Sequence, residues 1–266
     1  MNQILLPDQS ILEYIDQGTG HALLFIHAPC IGHVNFQYQA PLAQDFRLII
    51  PDLPGHGGSS PIKGKLCTES LAQLIDYLVE QLELDQFTLC GYSQGASLAL
   101  EYLLRYPHKV SSAILVSGYS EVNTLFLHTR YLTAQALSQM GAVGVLARTI
   151  SSSHLSDEHE QQKWIEHMRR TDPHTLHELY VTGHHYNCSQ QLHQIKTPVL
   201  LIYGGNDEPM HTYAKQLHQG LNHSFLHFIP DISHQVVTKG AEQLHELLRP
   251  FVQSHAISNA KSPVFV

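Results

Sequence analysis

Residues 89–100 read LCGYSQGASLAL. Apolar residues run into Gly91-Tyr92-Ser93-Gln94-Gly95, and helical patterning follows at once. A tight strand-to-helix turn of this form holds a serine hydroxyl out where a substrate can reach it. Small residues at Gly91, Gly95 and Ala96 let strand and helix approach closely around Ser93. The first turn of the helix also aims unpaired N–H groups and a positive dipole end at the same place, where a developing oxyanion would be stabilised. The five-residue pattern is not decisive alone, because a chain of this size holds G-x-S-x-G by chance roughly one time in ten. The flanking sequence has to decide.

Outward from the turn, short apolar runs alternate with helical stretches. ALLFIHA (22–28), RLII (47–50), FTLCGYS (87–93), SAILV (112–116), VLLIY (199–203) and FLHFI (225–229) read as buried strands. Residues 68–84 read as an amphipathic helix with Leu71, Leu74, Ile75, Leu78 and Leu82 on one stripe and Thr68 as its N-cap. Residues 94–106 form a helix ended by Pro107, and a last helix spans about 236–253. Strands alternating with helices imply a parallel sheet covered on both faces. The first twenty residues suggest two antiparallel strands, so the expected sheet is mixed and about eight-stranded. Residues 120–192 break the rhythm. They are polar and helix-leaning, with helices expected at 131–140, 156–170 and 173–181, and far too long for an ordinary connection. They are expected to form an inserted helical cap on a core made of residues 1–119 and 193–266. The tail SHAISNAKSPVFV (254–266) is expected to be loosely held.

A serine hydroxyl is a weak nucleophile without a base. Two later turns offer the missing groups. Gly204-Gly205-Asn206-Asp207 follows VLLIY, and Pro230-Asp231-Ile232-Ser233-His234 follows FLHFI. Parallel strands bring their carboxyl ends to one edge of the sheet. Ser93, an acid at Asp207 and a histidine at His234 therefore reach the same edge, with Asp231 as a rival acid. A histidine base must be neutral to accept the serine proton, so such an enzyme loses activity as pH falls through the ordinary histidine range, about 6 to 7.

With these residues in hand, the chain resembles the α/β-hydrolases, in the form that carries one helical lid after the sixth strand. The resemblance rests on GYSQG (91–95), PDLPGHGGS (51–59), TPVLLIYGGND (197–207) and ISH (232–234), and runs from about residue 11 to 253. It implies Ser93 as nucleophile, His234 as general base and acid, Asp207 as the group orienting His234, and the backbone N–H of Gln94 as one oxyanion donor. One segment departs from the family. Where many members have His-Gly-x and use the N–H of x as the second donor, this chain reads His27-Ala28-Pro29-Cys30. Pro29 has no N–H to give. Either Cys30 supplies the second donor through a shifted loop, or the oxyanion hole is one donor short. In PDLPGHGGS, His56 is expected to be structural.

Composition bounds the rest. The chain has 266 residues, 15 Lys plus Arg against 23 Asp plus Glu, and a formal net charge of −8. That balance argues against nucleic acid and against anionic membranes as partners. No signal-like start and no long apolar run is present, and the four cysteines are scattered, so a cytoplasmic protein with free thiols is expected. Among 21 histidines, the adjacent pairs His184/His185 and His174/His177 lack a third ligand at a recognised spacing. No metal and no cofactor is expected, since no phosphate-binding glycine pattern follows a strand. The function expected is a serine hydrolase of small-molecule carboxylic esters working through an acyl-enzyme. Carbon–carbon bond hydrolysis, acyl transfer or perhydrolysis on the same residues are alternatives, as is a ligand-binding or signalling protein with a vestigial site. The oligomeric state and the natural substrate are not legible.

Overall fold

A computed structural model describes residues 1–256, and the tail expectation falls mostly outside them. The apolar runs become an eight-stranded sheet. The strands are β1 (Asn2–Leu5), β2 (Ile11–Gln17), β3 (Ala22–Ile26), β4 (Arg47–Pro51), β5 (Phe87–Tyr92), β6 (Val110–Val116), β7 (Val199–Gly204) and β8 (Ser224–Ile229), in the spatial order β1-β2-β4-β3-β5-β6-β7-β8. β1 with β2 and β2 with β4 are antiparallel, and the remaining pairs are parallel. Every residue of β3, β5 and β7 is buried, as expected of strands covered on both faces. The order places β5 inside the sheet between β3 and β6, so its carboxyl end opens near the middle of one edge. β8 closes the far side as an edge strand with Phe225 and Phe228 partly exposed.

Helices α1 (Thr68–Gln81) and α2 (Gln94–Arg105) follow β4 and β5. The cap of α1 is one residue earlier than expected. Cys67 is the N-cap, its Sγ accepting from the Ser70 N–H while the Ser70 hydroxyl accepts from the Cys67 N–H, and Thr68 is already helical. Between β6 and β7 lie α3 (Leu125–Gln139), α4 (Val143–His154), α5 (Glu158–Met168) and α6 (Pro173–His185). α4 has no counterpart in the sequence reading, because Gly141 and Gly144 hid its start. Helix α7 (Glu208–Gly220) was also not foreseen, while the last helical stretch divides at Gly240 into α8 (Val236–Lys239) and α9 (Ala241–His255).

The α3–α6 block lies against loops that leave the carboxyl ends of the parallel strands. Trp164 Nε1 donates to Gln37 Oε1 at 2.9 Å, beyond β3. Thr182 Oγ1 donates to the Leu66 carbonyl at 2.9 Å, beyond β4. Gln94 Nε2 donates to the Leu179 carbonyl at 2.6 Å, beyond β5. Among the described residues no helix is long and apolar enough to cross a membrane.

Candidate active site

Ser93 sits in the turn with φ 53° and ψ −120°, a conformation that costs a non-glycine residue energy. Its neighbours explain how the turn is tolerated. A Cβ on Gly91 would stand 2.6 Å from the Ala96 Cα, and one on Gly95 would stand 2.2 Å from the Ile26 carbonyl oxygen. Only glycine fits either place. The Ser93 N–H donates to the Val116 carbonyl at 2.9 Å, tying the turn to β6. Its hydroxyl does not cap α2. It faces His234 instead, with Ser93 Oγ 3.1 Å from His234 Nε2. On the other side of the ring, His234 Nδ1 lies 2.7 Å from Asp207 Oδ2.

Each partner is held from several directions. Gly205 and Asn206 donate backbone bonds to the Ile229 and Ile232 carbonyls at 2.7 and 2.8 Å, so the acid-bearing and base-bearing loops are laced together. The carbonyl of His234 accepts from Tyr92 Oη at 3.3 Å and from Ser117 Oγ at 3.2 Å. Asp207 is buried and His234 partly exposed, so the ring is reachable while its carboxylate partner is shielded from water. Asp231 stands exposed in a turn with φ 59°, and His234 Nδ1 is taken by Asp207.

The oxyanion side corrects one expectation. Cys30, the alternative second donor, gives its N–H to His56 Nε2 at 2.8 Å. That N–H is therefore already taken within the protein, in a buried loop with Cys30 itself at φ 76°. His56 is structural as expected, its Nδ1–H directed at the Pro54 carbonyl, 3.0 Å away. His27 acts likewise, with Nε2 accepting from the Leu53 N–H and Nδ1 donating to the Ala28 carbonyl, both at 2.8 Å. Gln94, at the first position of α2, keeps an N–H with no intrahelical partner. Pro29 and Gln94 line the same small cavity of about 20 Å³. That space holds about one water, and its lining includes none of Ser93, Asp207 and His234. A cleft of about 750 Å³ between residues 55–61 and 169–173 includes none of Ser93, Asp207 and His234.

Buried histidines surround this region and bear on acid stability. Burial, with the charge of His56 adding to it, lowers the pKa of His27 to about 3. Burial lowers that of His154 to about 3 as well, reinforced by the charges of His234 and Lys239. In the unfolded chain both take protons in the ordinary range, so the unfolded state binds more protons below pH 6.5 and stability falls as pH drops toward 3. For these two groups the loss between pH 6.5 and 5.5 is about 2 kcal/mol. Urea unfolding at a series of pH values checks it, and a stability that stays flat over that interval would contradict it.

Comparison with known proteins agrees with this architecture. The family model for the alpha/beta hydrolase fold matches residues 21–240. The chain is 26% identical over 253 residues to the uncharacterized hydrolase YugF of Bacillus subtilis, covering 87% of this chain and 89% of that protein. It is 25% identical over 270 residues to a 2-hydroxy-6-oxononadienedioate/2-hydroxy-6-oxononatrienedioate hydrolase of Pseudomonas putida, covering 91% of each. Among solved structures, the esterase EaEST from Exiguobacterium antarcticum superposes with a TM-score of 0.86 at 20% identity, covering 94% of this chain and 98% of that one.

Proposed function

For a chain that belongs to the alpha/beta hydrolase fold family, we propose a serine hydrolase of small or medium carboxylic esters. The observation that carries the reading is the line Ser93 Oγ–His234–Asp207, at 3.1 and 2.7 Å. In this reading His234 takes the Ser93 proton as Oγ attacks the ester carbonyl. Asp207 holds the ring with Nε2 toward the serine and stabilises the imidazolium that forms. The Gln94 N–H binds the oxyanion. His234 then protonates the leaving alcohol, and a water activated by the same ring releases the acid from Ser93.

Residues 120–192 are proposed as a cap that shapes the substrate space. Support comes from Gln94, whose side chain joins the block to the nucleophile turn. Besides its bond to Leu179, its Oε1 accepts from Tyr131 Oη at 2.9 Å, and a Cβ on Gly183 would fall 2.2 Å from its amide. Gln94→Ala keeps the N–H but frees both cap helices. It is expected to lower stability by about 1–3 kcal/mol and to shift the preferred acyl length. A variant that loses stability while its acyl preference stays unchanged would show that the contact is structural only.

The reading is tested with a series of p-nitrophenyl esters of increasing acyl length, with Ser93→Ala as the control. Turnover of one or more esters by wild type and not by Ser93→Ala supports it. A second reading, carbon–carbon bond hydrolysis, draws on the similarity to the Pseudomonas putida hydrolase. It is favoured if a vinylogous diketone is cleaved and the esters are not.

A further inference from the structure

Away from Ser93, three side chains from distant parts of the chain meet in the interior. His33 lies in the segment between β3 and β4, Asp52 follows β4, and His167 is next to last in α5. One donor atom from each lies within 4.8 Å of the others. From this cluster we propose that His33, Asp52 and His167 form a binding site for a divalent cation of the zinc type, clipping α5 to the core.

The Asp52 carboxylate is fully buried, and its ion-pair partners are both histidines. Its Oδ1 accepts from the His33 N–H at 2.6 Å, and its Oδ2 accepts from His33 Nδ1 at 2.7 Å. His167 Nε2 approaches Asp52 Oδ1 only to 3.9 Å, too far for a hydrogen bond. That nitrogen is buried and has no hydrogen-bond partner among the described residues. An unpaired buried polar atom beside a buried carboxylate is costly, and a cation between them would satisfy both. Space for it exists because residue 32 is glycine. A Cβ there would stand 2.4 Å from His167 Nε2 and 2.6 Å from Asp52 Oδ1, filling the gap that the two atoms face.

The donor set suits such an ion. Two imidazoles and a carboxylate are ligands of zinc sites that keep a fourth position for water. The side chains of His33 and His167 are 21% and 12% exposed, while His167 Nε2 and the Asp52 carboxylate are buried. Binding puts the metal on His33 Nδ1 in place of its contact with Asp52 Oδ2, and the ring binds as the neutral imidazole with its proton on Nε2. Tetrahedral bonds near 2.1 Å place the donors about 3.4 Å from one another, so His33 Nδ1 and Asp52 Oδ2 must part from 2.7 Å while His167 Nε2 closes on the carboxylate from 3.9 Å. None of Ser93, Asp207 and His234 takes part, so the site stands or falls apart from the hydrolase reading.

The test is metal content and affinity on the full chain. The protein is stripped with a chelator, dialysed against Zn²⁺, and analysed for bound zinc, with circular dichroism confirming the fold. Wild type is expected to hold one equivalent and to gain thermal stability with it. His167→Ala, and His167→Gln which keeps more of the volume, should bind at least about tenfold more weakly and lose the thermal gain. The partly buried pair His128 and His184, whose ring nitrogens are 2.7 Å apart, is the rival place for zinc in so histidine-rich a chain. His128→Ala should leave the affinity unchanged. Stoichiometry well below one overturns the proposal. So does an affinity unmoved in both folded His167 variants, or one that falls with His128→Ala instead.

Discussion

Ser93→Ala is expected to lower kcat by about 10⁴–10⁶ with the fold intact. The side chain is partly exposed at the start of α2 and caps nothing, so its loss removes a hydroxyl and little packing. His234→Ala is expected to cost a similar factor, and the double variant no more than either alone, because a nucleophile and its base act as one unit. Asp207→Asn should lose about 10⁴ in kcat, since an amide at Asp207 Oδ2 no longer selects the ring tautomer that presents Nε2 as acceptor to Ser93. Steady-state kinetics on the best ester, beside urea midpoints, decides the matter. A folded Ser93→Ala enzyme that keeps wild-type turnover on every substrate sinks the proposed chemistry.

Pro29→Gly is expected to raise kcat by at least tenfold. In the proposed mechanism the oxyanion hole has the Gln94 N–H and lacks the usual companion. Proline at position 29 offers no hydrogen, and the Cys30 N–H is bound to His56 Nε2 at 2.8 Å. Removing one donor from a two-donor hole costs about 10²–10³ in kcat, so restoring one, even in imperfect geometry, should recover part of that factor. Wild type should accordingly be a slow esterase. The measurement is kcat for wild type, Pro29→Gly and Pro29→Phe, with unfolding midpoints alongside. Folded variants with unchanged or lower kcat would show that another group already fills the second donor place.

Much of this was legible because it is local. The run FTLCGYS is apolar with no helical period, so it reads as a buried strand, and the glycines flanking Ser93 announce a turn too tight for a Cβ. Asp207 and His234 were legible from their places just after VLLIY and FLHFI, since parallel strands deliver their carboxyl ends to one edge. α4 was missed because glycines at 141 and 144 weaken its pattern. α7 was missed because Pro209 and a run of polar residues obscure a stripe of Met210, Tyr213, Ala214 and Leu217. Cys67 was passed over as a cap because a thiol is a weak acceptor, and the reciprocal hydroxyl of Ser70 does half the capping.

What the sequence by itself determined is the order of strands and helices, the elbow at Ser93, and the three residue types at the ends of their strands. Those features follow from side-chain period and turn chemistry, both properties of a residue and its near neighbours. Only the tertiary structure decided between Asp207 and Asp231 as the partner of His234, and turned the Cys30 N–H toward His56. It alone set the Gln94 amide between α3 and α6 and brought His33, Asp52 and His167 together across 134 positions. A hydrogen bond or a ligand set depends on direction and on distances of about 3 Å, and packing of segments remote in the chain fixes both.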